Sequence, residues 1–422
     1  MKANGRRVGV CLLVLLCCCF LGLSARAADV KLVFAQRNPT EVGAGQAWAR
    51  AVAEYQKENP HVEFDYVTDL DGNHAKYLEK ILVLGASVGF PDIMHIYNLW
   101  LYDLVEQGVI DPVPSDVLGR IKNSIYPDSL TYLEYEGVQY AIPTESQVAG
   151  LVYNRQLLSE AGVGSVPGTW ADLISLTKRL LGQQQTPGKL SGLSVNAGGW
   201  GWSANWHMLT KAYGGSYTAA DGSVSLDTDA NRDLLENIVD WFGADGPGNT
   251  NRDAFCGGNV YFGVAFPFWS TGMTGSFPQN WNEIFGVAEL PSGPVATGGF
   301  QYGWGLGVSA NSRNRAEAWK FVEWMATQQT EAGLTSIGDF QLALGSLPTH
   351  RRDLQSSVFA QRVSFYNGFI SNLPHAVSEP KLPHGDARQG ILANEITNAI
   401  ARRKTPQQAL NDATIAINAL LK

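Results

Sequence analysis

The sequence predicts an α/β protein whose sheets contain parallel strands covered by helices, divided into more than one domain. Short apolar runs of strand length alternate with segments whose apolar residues recur at helical spacing. Proline and glycine stops, such as Pro60, Gly162 and Gly182, close several of these segments. The chain has 422 residues, more than one hydrophobic core usually serves. Strand–helix–strand alternation implies parallel pairing, and in such sheets ligands lie off the carboxyl ends of the strands.

The elements follow in order. Arg6 and Arg7 precede an apolar run from Val8 to Leu23, and Ala25-Arg26-Ala27 offers a small-x-small cleavage site. This is the layout of a secretory signal peptide, residues 1–27. The run is shorter than the roughly 20 residues a membrane span needs, and no later stretch is long and apolar enough. Removal of the leader leaves about 395 residues with 27 basic and 39 acidic side chains, net −12. It also removes Cys11, Cys17, Cys18 and Cys19, so only Cys256 remains and no intramolecular disulfide is possible. Cys17 follows Leu16, and Cys18 and Cys19 each follow a cysteine, so lipid anchoring fits poorly and a soluble periplasmic protein fits better. The acidic balance and the absence of a basic stripe argue against a nucleic-acid partner.

Residues 30–35 read as a strand. Residues 44–59 read as a helix, with Ala47, Trp48, Ala51, Val52 and Tyr55 on one face. Residues 61–67 alternate as a strand, 74–84 are helical, and 91–96 return to strand. The loops to watch after strands are 36–41, 68–73, 97–100 and 144–147.

Residues 140–181 read YAIPTESQVAGLVYNRQLLSEAGVGSVPGTWADLISLTKRLL. A strand is expected to end at Pro143, followed by a polar bend, an apolar run to Tyr153-Asn154 and two short helices. Asn154 caps the first and Gly162 ends it. Thr169 with Asp172 resembles a short-acid capping box for the second, which Gly182 closes.

This string resembles the sugar-binding family of extracellular solute-binding proteins of ABC importers, the maltose-binding-protein-like family 1. Further phrases match in the family's order: AVAEYQKENPHVEFDYV, KILVLGASVGFPDIM, LVEQGVIDPV, GVAELPSGP, GWGLGVSANSRNRAEAWKFVEWMAT, LPTHR and ARRKTPQQALNDATIAINALL. The resemblance implies a type II periplasmic-binding-protein fold. Its two α/β lobes, each a mixed, mostly parallel sheet flanked by helices, are joined by a hinge that the chain crosses about three times. The first lobe is expected over 28–144 plus 292–342, the second over 145–291 plus 343–422. The implied function is periplasmic capture of a mono- or oligosaccharide between the lobes and delivery to the transmembrane subunits of an ABC permease, by a monomer. Departures at the loop after the first strand (Gln36, Arg37) and after the proline-aspartate strand leave the ligand's identity open.

A sugar site needs aromatic rings for C–H faces and amide, carboxylate or guanidinium groups for hydroxyl edges. Of the 12 tryptophans, three (Trp200, Trp202, Trp206) lie in NAGGWGWSANW, where Trp200 and Trp202 share a face if the stretch is extended. In the family a tryptophan after a strand stacks on the sugar; Trp269 in FPFWSTGMTG matches it, with a core position as the alternative. Trp304, Trp100 and Tyr97 are further candidates. Gln36, Arg37, Asp71, Asn73, Asn98, Glu145 and Gln147 supply candidate polar contacts, loop capping being the alternative for each loop residue. Tyr153 reads as structural.

There is no GxSxG, HExxH, CxxC or Walker-type loop, and the histidines lack metal-ligand spacing, so no cofactor, metal or catalytic residue is expected. GGFQYGWGLG leads into a strand, which suits a phosphate cradle poorly. Two alternatives stay open. One is a carrier for a sugar phosphate, glycerol phosphodiester or polyamine, with Arg37 or Arg388 in the cleft for an anion. The other is an exported glycoside hydrolase with a carboxylate pair such as Glu145 and Asp71.

Overall fold

Two five-stranded sheets carry the chain in the computed structural model, which describes residues 30–38, 40, 43–68, 74–184, 190–249, 252–360 and 362–422. The leader and the candidates Asp71 and Asn73 lie outside the described residues. The strands are β1 (Val30–Gln36), β2 (Val62–Thr68), β3 (Ile93–Tyr97), β4 (Ile142–Val148), β5 (Gly150–Asn154), β6 (Ser191–Ser194), β7 (Gly248–Asn249), β8 (Val260–Ala265), β9 (Phe285–Ala288) and β10 (Gln301–Val308). The first sheet has the order β2-β1-β3-β10-β4, the second β9-β5-β8-β6-β7. In the first, β1 runs parallel to β2 and β3, while β10 runs antiparallel to β3 and β4. In the second, β8 is parallel to β6 and antiparallel to β5. The fold is therefore α/β with two mixed lobes, as the sequence predicts.

Helix α1 (Gly45–Glu58) buries Ala47, Trp48, Ala51, Val52 and Tyr55, the predicted face. Helix α2 (His74–Ser87) is longer than expected. Asn154 caps α3 (Arg155–Glu160) by accepting from the Leu157 N–H, and Gly162 ends it at φ +69°. Thr169 caps α4 (Trp170–Gly182), but the Asp172 carboxylate accepts from the Thr169 hydroxyl and not from its backbone. The complete reciprocal box occurs instead at Thr405 and Gln408.

Three expectations are corrected. The strand does not end at Pro143: β4 continues to Val148, and 144–147 are strand, not loop. The ladder shifts register between Trp304 and Gly305, opposite Glu145 and Pro143, which relieves the proline of a donor it lacks. Residues 199–206 are not extended: α5 (Gly199–Ala212) contains all three tryptophans, and Trp202 and Trp206, four apart, turn into the core. Packing of that face outweighs the weak helix propensity of its glycines.

The chain leaves the first sheet at Ala149, so 144/145 falls inside β4. The return crossing lies between β9 and β10 and contains Gly298, where a Cβ would meet the Met208 carbonyl oxygen at 2.0 Å. Helix α6 (Asp229–Phe242) packs on α5. Beyond α7 (Arg315–Thr327), helix α8 (Ser336–Leu344) packs on α1, α7 and β4, and Leu347 and His350 bridge to Ser146 and Ile125. Contacts with the first sheet thus continue beyond residue 342. The chain ends in α9 (Gly385–Ile400) and α10 (Pro406–Leu420), packed together and on α6.

One core lies behind the first sheet around Phe34, Trp48, Phe321 and Phe340, another behind the second around Phe255, Trp269 and Phe369. A third cluster joins Tyr97, Trp100 and Trp304 of the first lobe to Leu151, Trp206 and Phe266 of the second. The two sheets meet through this aromatic seam. Among the described residues no helix is long and apolar enough to cross a membrane.

Candidate functional site

The carboxyl end of β1 presents Arg37 to the space between the lobes. Gln36 is fully buried and braces this bend by bonding the backbone of Asn38 in both directions. The Arg37 guanidinium donates to Glu145 on β4 at 2.6 Å and to His74 Nε2, at the start of α2, at 2.8 Å. Because arginine only donates, His74 carries its proton on Nδ1. The guanidinium carbon lies 4.5 Å over the Trp304 ring, and Nε is buried with no hydrogen-bond partner among the described residues. Glu145 also accepts from Gln147 Nε2 at 3.2 Å. Gln147 Oε1 then accepts from the Phe268 N–H of the second lobe at 3.3 Å. A guanidinium, a carboxylate and an amide thus form one chain that ends across the cleft.

Beside it stands the aromatic wall. Tyr97 stacks on Trp304 at 5.1 Å and 17°, as their paired strands dictate. The Tyr97 hydroxyl accepts from Trp200 Nε1 of α5 at 2.9 Å, a second bond between lobes. Trp200 packs edge-on against Tyr302 at 5.0 Å and lies 5.3 Å from Phe266, which stacks over Phe268 at 6.2 Å. Next to this wall opens a pocket of about 440 Å³, lined by His74, Tyr97 and Trp200 with Asp386 and Gln389 of α9. A hollow of about 630 Å³ on the outside of the first lobe, beside Glu58 and Trp324, is remote from these rings.

Seven predicted residues come together here: Arg37, Tyr97, Glu145, Gln147, Trp200 and Trp304, with Gln36 in support. The others do not. Asn98 accepts from the Gly303 N–H at 3.1 Å and ties a turn to β10. Trp100 lies behind Trp304, edge-on at 5.0 Å, and donates to Asp386 at 3.0 Å. Trp202 packs against Phe242 at 5.4 Å, and Trp206 is fully enclosed. Trp269 is fully enclosed in the second lobe's core, 5.7 Å from Phe255. A short turn after β8 points Trp269 inward and leaves its neighbour Phe268 at the cleft. Sequence reasoning missed His74, Phe266, Phe268, Tyr302 and Asp386. The alternation of rings in FPFW and FQYGW was the available signal. Arg388, proposed for an anion site, is buried and donates to the carbonyls of Pro380, Leu382 and Pro383.

Burial dominates the electrostatics. It pushes the Glu145 carboxyl up, opposed by Arg37 and Gln147. Burial, then Arg37, lowers His74 to about 3. Burial also lowers His207 to about 3, His350 to about 4, and His95 well below 6.5. Unfolded chains bind these protons near 6.5 and the folded protein does not. Stability is therefore present above about 6.5 and falls as the pH drops below it, by up to about 1.4 kcal/mol per pH unit for each histidine. The melting temperature should drop between about pH 6.5 and 5; a flat profile there would contradict four neutral buried imidazoles.

Comparison with known proteins agrees with this architecture. A family profile described as bacterial extracellular solute-binding protein matches residues 38–332. A binding protein of Brucella abortus is 24% identical over 415 residues, 95% of each chain. The maltotriose-binding protein of Pyrococcus abyssi is 25% identical over 395 residues, 90% of this chain and 78% of that one. The structure of UgpB from Mycobacterium tuberculosis in complex with glycerophosphocholine superimposes with a TM-score of 0.77 at 18% identity, covering 93% of this chain and 98% of that one. The chain belongs to the bacterial extracellular solute-binding protein family.

Proposed function

We propose that this chain is the periplasmic substrate-binding component of an ABC importer, capturing a sugar or closely related polyhydroxylated solute between its lobes. The observation that carries this reading is the aromatic wall joining the lobes beside the Arg37–Glu145–Gln147 chain. Ring faces suit sugar C–H surfaces, and the charged and amide edges suit hydroxyls, which both donate and accept. Export by the 1–27 leader, a monomeric carrier and delivery to the permease's transmembrane subunits complete the proposal. The lobes divide near Ala149, between β9 and β10, and beyond α8.

Function as a carrier requires a two-state hinge that the ligand biases by touching both lobes only when they close. The bonds from Trp200 to Tyr97 and from Phe268 to Gln147 are among the contacts that opening would break. A glycoside hydrolase is disfavoured because Glu145 is engaged by Arg37 and is a poor acid or nucleophile. A phosphate-bearing ligand has one supporting feature, the free Nε of Arg37, but that guanidinium already holds Glu145.

A thermal-shift screen over mono- and oligosaccharides, polyols and sugar phosphates tests the proposal, since bound ligand raises the melting temperature. A sugar or polyol hit should shift tryptophan emission and shrink the scattering radius; no hit outside the phosphates would redirect the assignment. Affinity for a neutral ligand should be nearly independent of salt. Trp200→Ala should weaken that ligand by about 2–4 kcal/mol, because its ring is half-buried at the lobe interface. The ligand-free melting temperature should change little. A variant that binds normally would remove Trp200 from the site.

A further inference from the structure

Two carboxyl groups, both raised by burial, stand at the pocket beside the aromatic wall and form no ion pair among the described residues. Asp386, in the first turn of α9, accepts one hydrogen bond from Trp100 and has no cationic partner among the described residues. Glu379 is 5% exposed; its Oε1 accepts from Ser203 at 2.9 Å and from Gln389, a pocket residue, at 2.7 Å. Its Oε2 is buried and has no hydrogen-bond partner among the described residues. Asp386 lines the pocket with Tyr97, and Gln389, also in the lining, links Glu379 to it.

The neighbouring positive groups are occupied. Arg37 holds Glu145. The Arg388 guanidinium donates to three backbone carbonyls and to Tyr217, and acts on Glu379 only through space, without an ion pair. His74 is neutral at physiological pH. The amino end of α5 also faces the pocket and by itself favours an anion. At α9 that position is already filled by the Asp386 carboxylate.

A hydroxyl leaves this charge in place. An ammonium group balances it, supplies up to three N–H donors to the free carboxylate oxygens, and sits well against the faces of Tyr97 and Trp200. We infer that this end of the cleft is a cation subsite, built from Asp386 and Glu379 between Tyr97 and Trp200, and that the carried solute bears an ammonium group on a sugar or polyol scaffold. The inference rests on the carrier reading and narrows its substrate class.

Calorimetric titration of the full mature chain with two matched pairs tests it: D-glucosamine against D-glucose, and D-glucamine against D-sorbitol. Asp386→Asn is run in parallel, since asparagine keeps an oxygen for Trp100. The amine of each pair should bind about tenfold tighter than its neutral partner. Asp386→Asn should erase that preference. If Asp386→Asn does not fold, Glu379→Gln takes its place with the same expectation. Equal affinities within both pairs, tighter binding of the neutral members, or a preference that survives the substitution would overturn the inference while leaving the carrier reading intact. Silence from all four probes also overturns it, and the wider thermal-shift screen then judges the carrier reading separately.

Discussion

Trp269→Ala is expected to destabilise the protein by about 3–5 kcal/mol, the range for truncating a fully buried aromatic ring. Trp269 has no exposed surface, packs 5.7 Å from Phe255 and shares the second lobe's core with Met273, Phe285 and Tyr366. Its carbonyl also receives the Cys256 thiol at 3.7 Å. Alanine would leave a cavity that the surrounding strands and helices fill only in part. Trp269→Phe should lose less, because it keeps a ring in place. Ligand affinity of the folded fraction should stay near wild type. Urea unfolding followed by far-UV circular dichroism measures the first quantity and titration at low urea the second. A loss below about 1 kcal/mol with binding abolished would put the indole in the cleft after all.

Arg37→Met should destabilise by a similar amount, about 3–5 kcal/mol, for an electrostatic reason. The Glu145 side chain is 2% exposed and that of Arg37 13%. Removing the guanidinium leaves a buried carboxylate with only Gln147 beside it. The double replacement Arg37→Met with Glu145→Gln should recover most of the loss, because an amide carries no charge to desolvate. The deficit also has a pH signature. Burial already raises the Glu145 carboxyl, and without Arg37 it rises further. A carboxyl raised above its unfolded value of 4.5 penalises the folded state above the raised value, and the penalty fades as the pH falls through it. The gap between variant and wild type should therefore narrow on going from about pH 7 to 5. A gap that stays constant, or a double variant no better than the single, would show that the pair contributes little. Ligand affinity should fall as well, since the same guanidinium holds His74, which lines the pocket.

Local signals were legible where they rest on neighbouring residues. The α1 face, the Asn154 cap and the Gly162 stop depend on spacing and dihedral preference within one turn, and the structure matches each. Strand ends were not legible in the same way. Pro143 marks a stop by local rules, yet β10 offers a register shift there and β4 runs on. The tryptophans divide similarly. Composition announced an excess of indoles, but position along the chain does not say which of them reach the cleft. A single turn decides between two adjacent rings, and it turns Phe268 to the cleft and Trp269 to the core. Helix α5 sorts Trp200 from Trp202 and Trp206 by a rotation of about 100° per residue that an extended reading does not contain.

The sequence alone determined the family, the α/β alternation, the leader pattern and the abundance of ring and amide side chains. These follow from local periodicity and from phrases in fixed order. Only the tertiary structure decided which groups meet. Arg37 and Glu145 are separated by 108 positions, and Tyr97 and Trp200 by 103, so neither contact has a local signature. Such pairings are set by how the two sheets pack and where the chain crosses between them. Burial then fixes their charge, and no single segment encodes that environment.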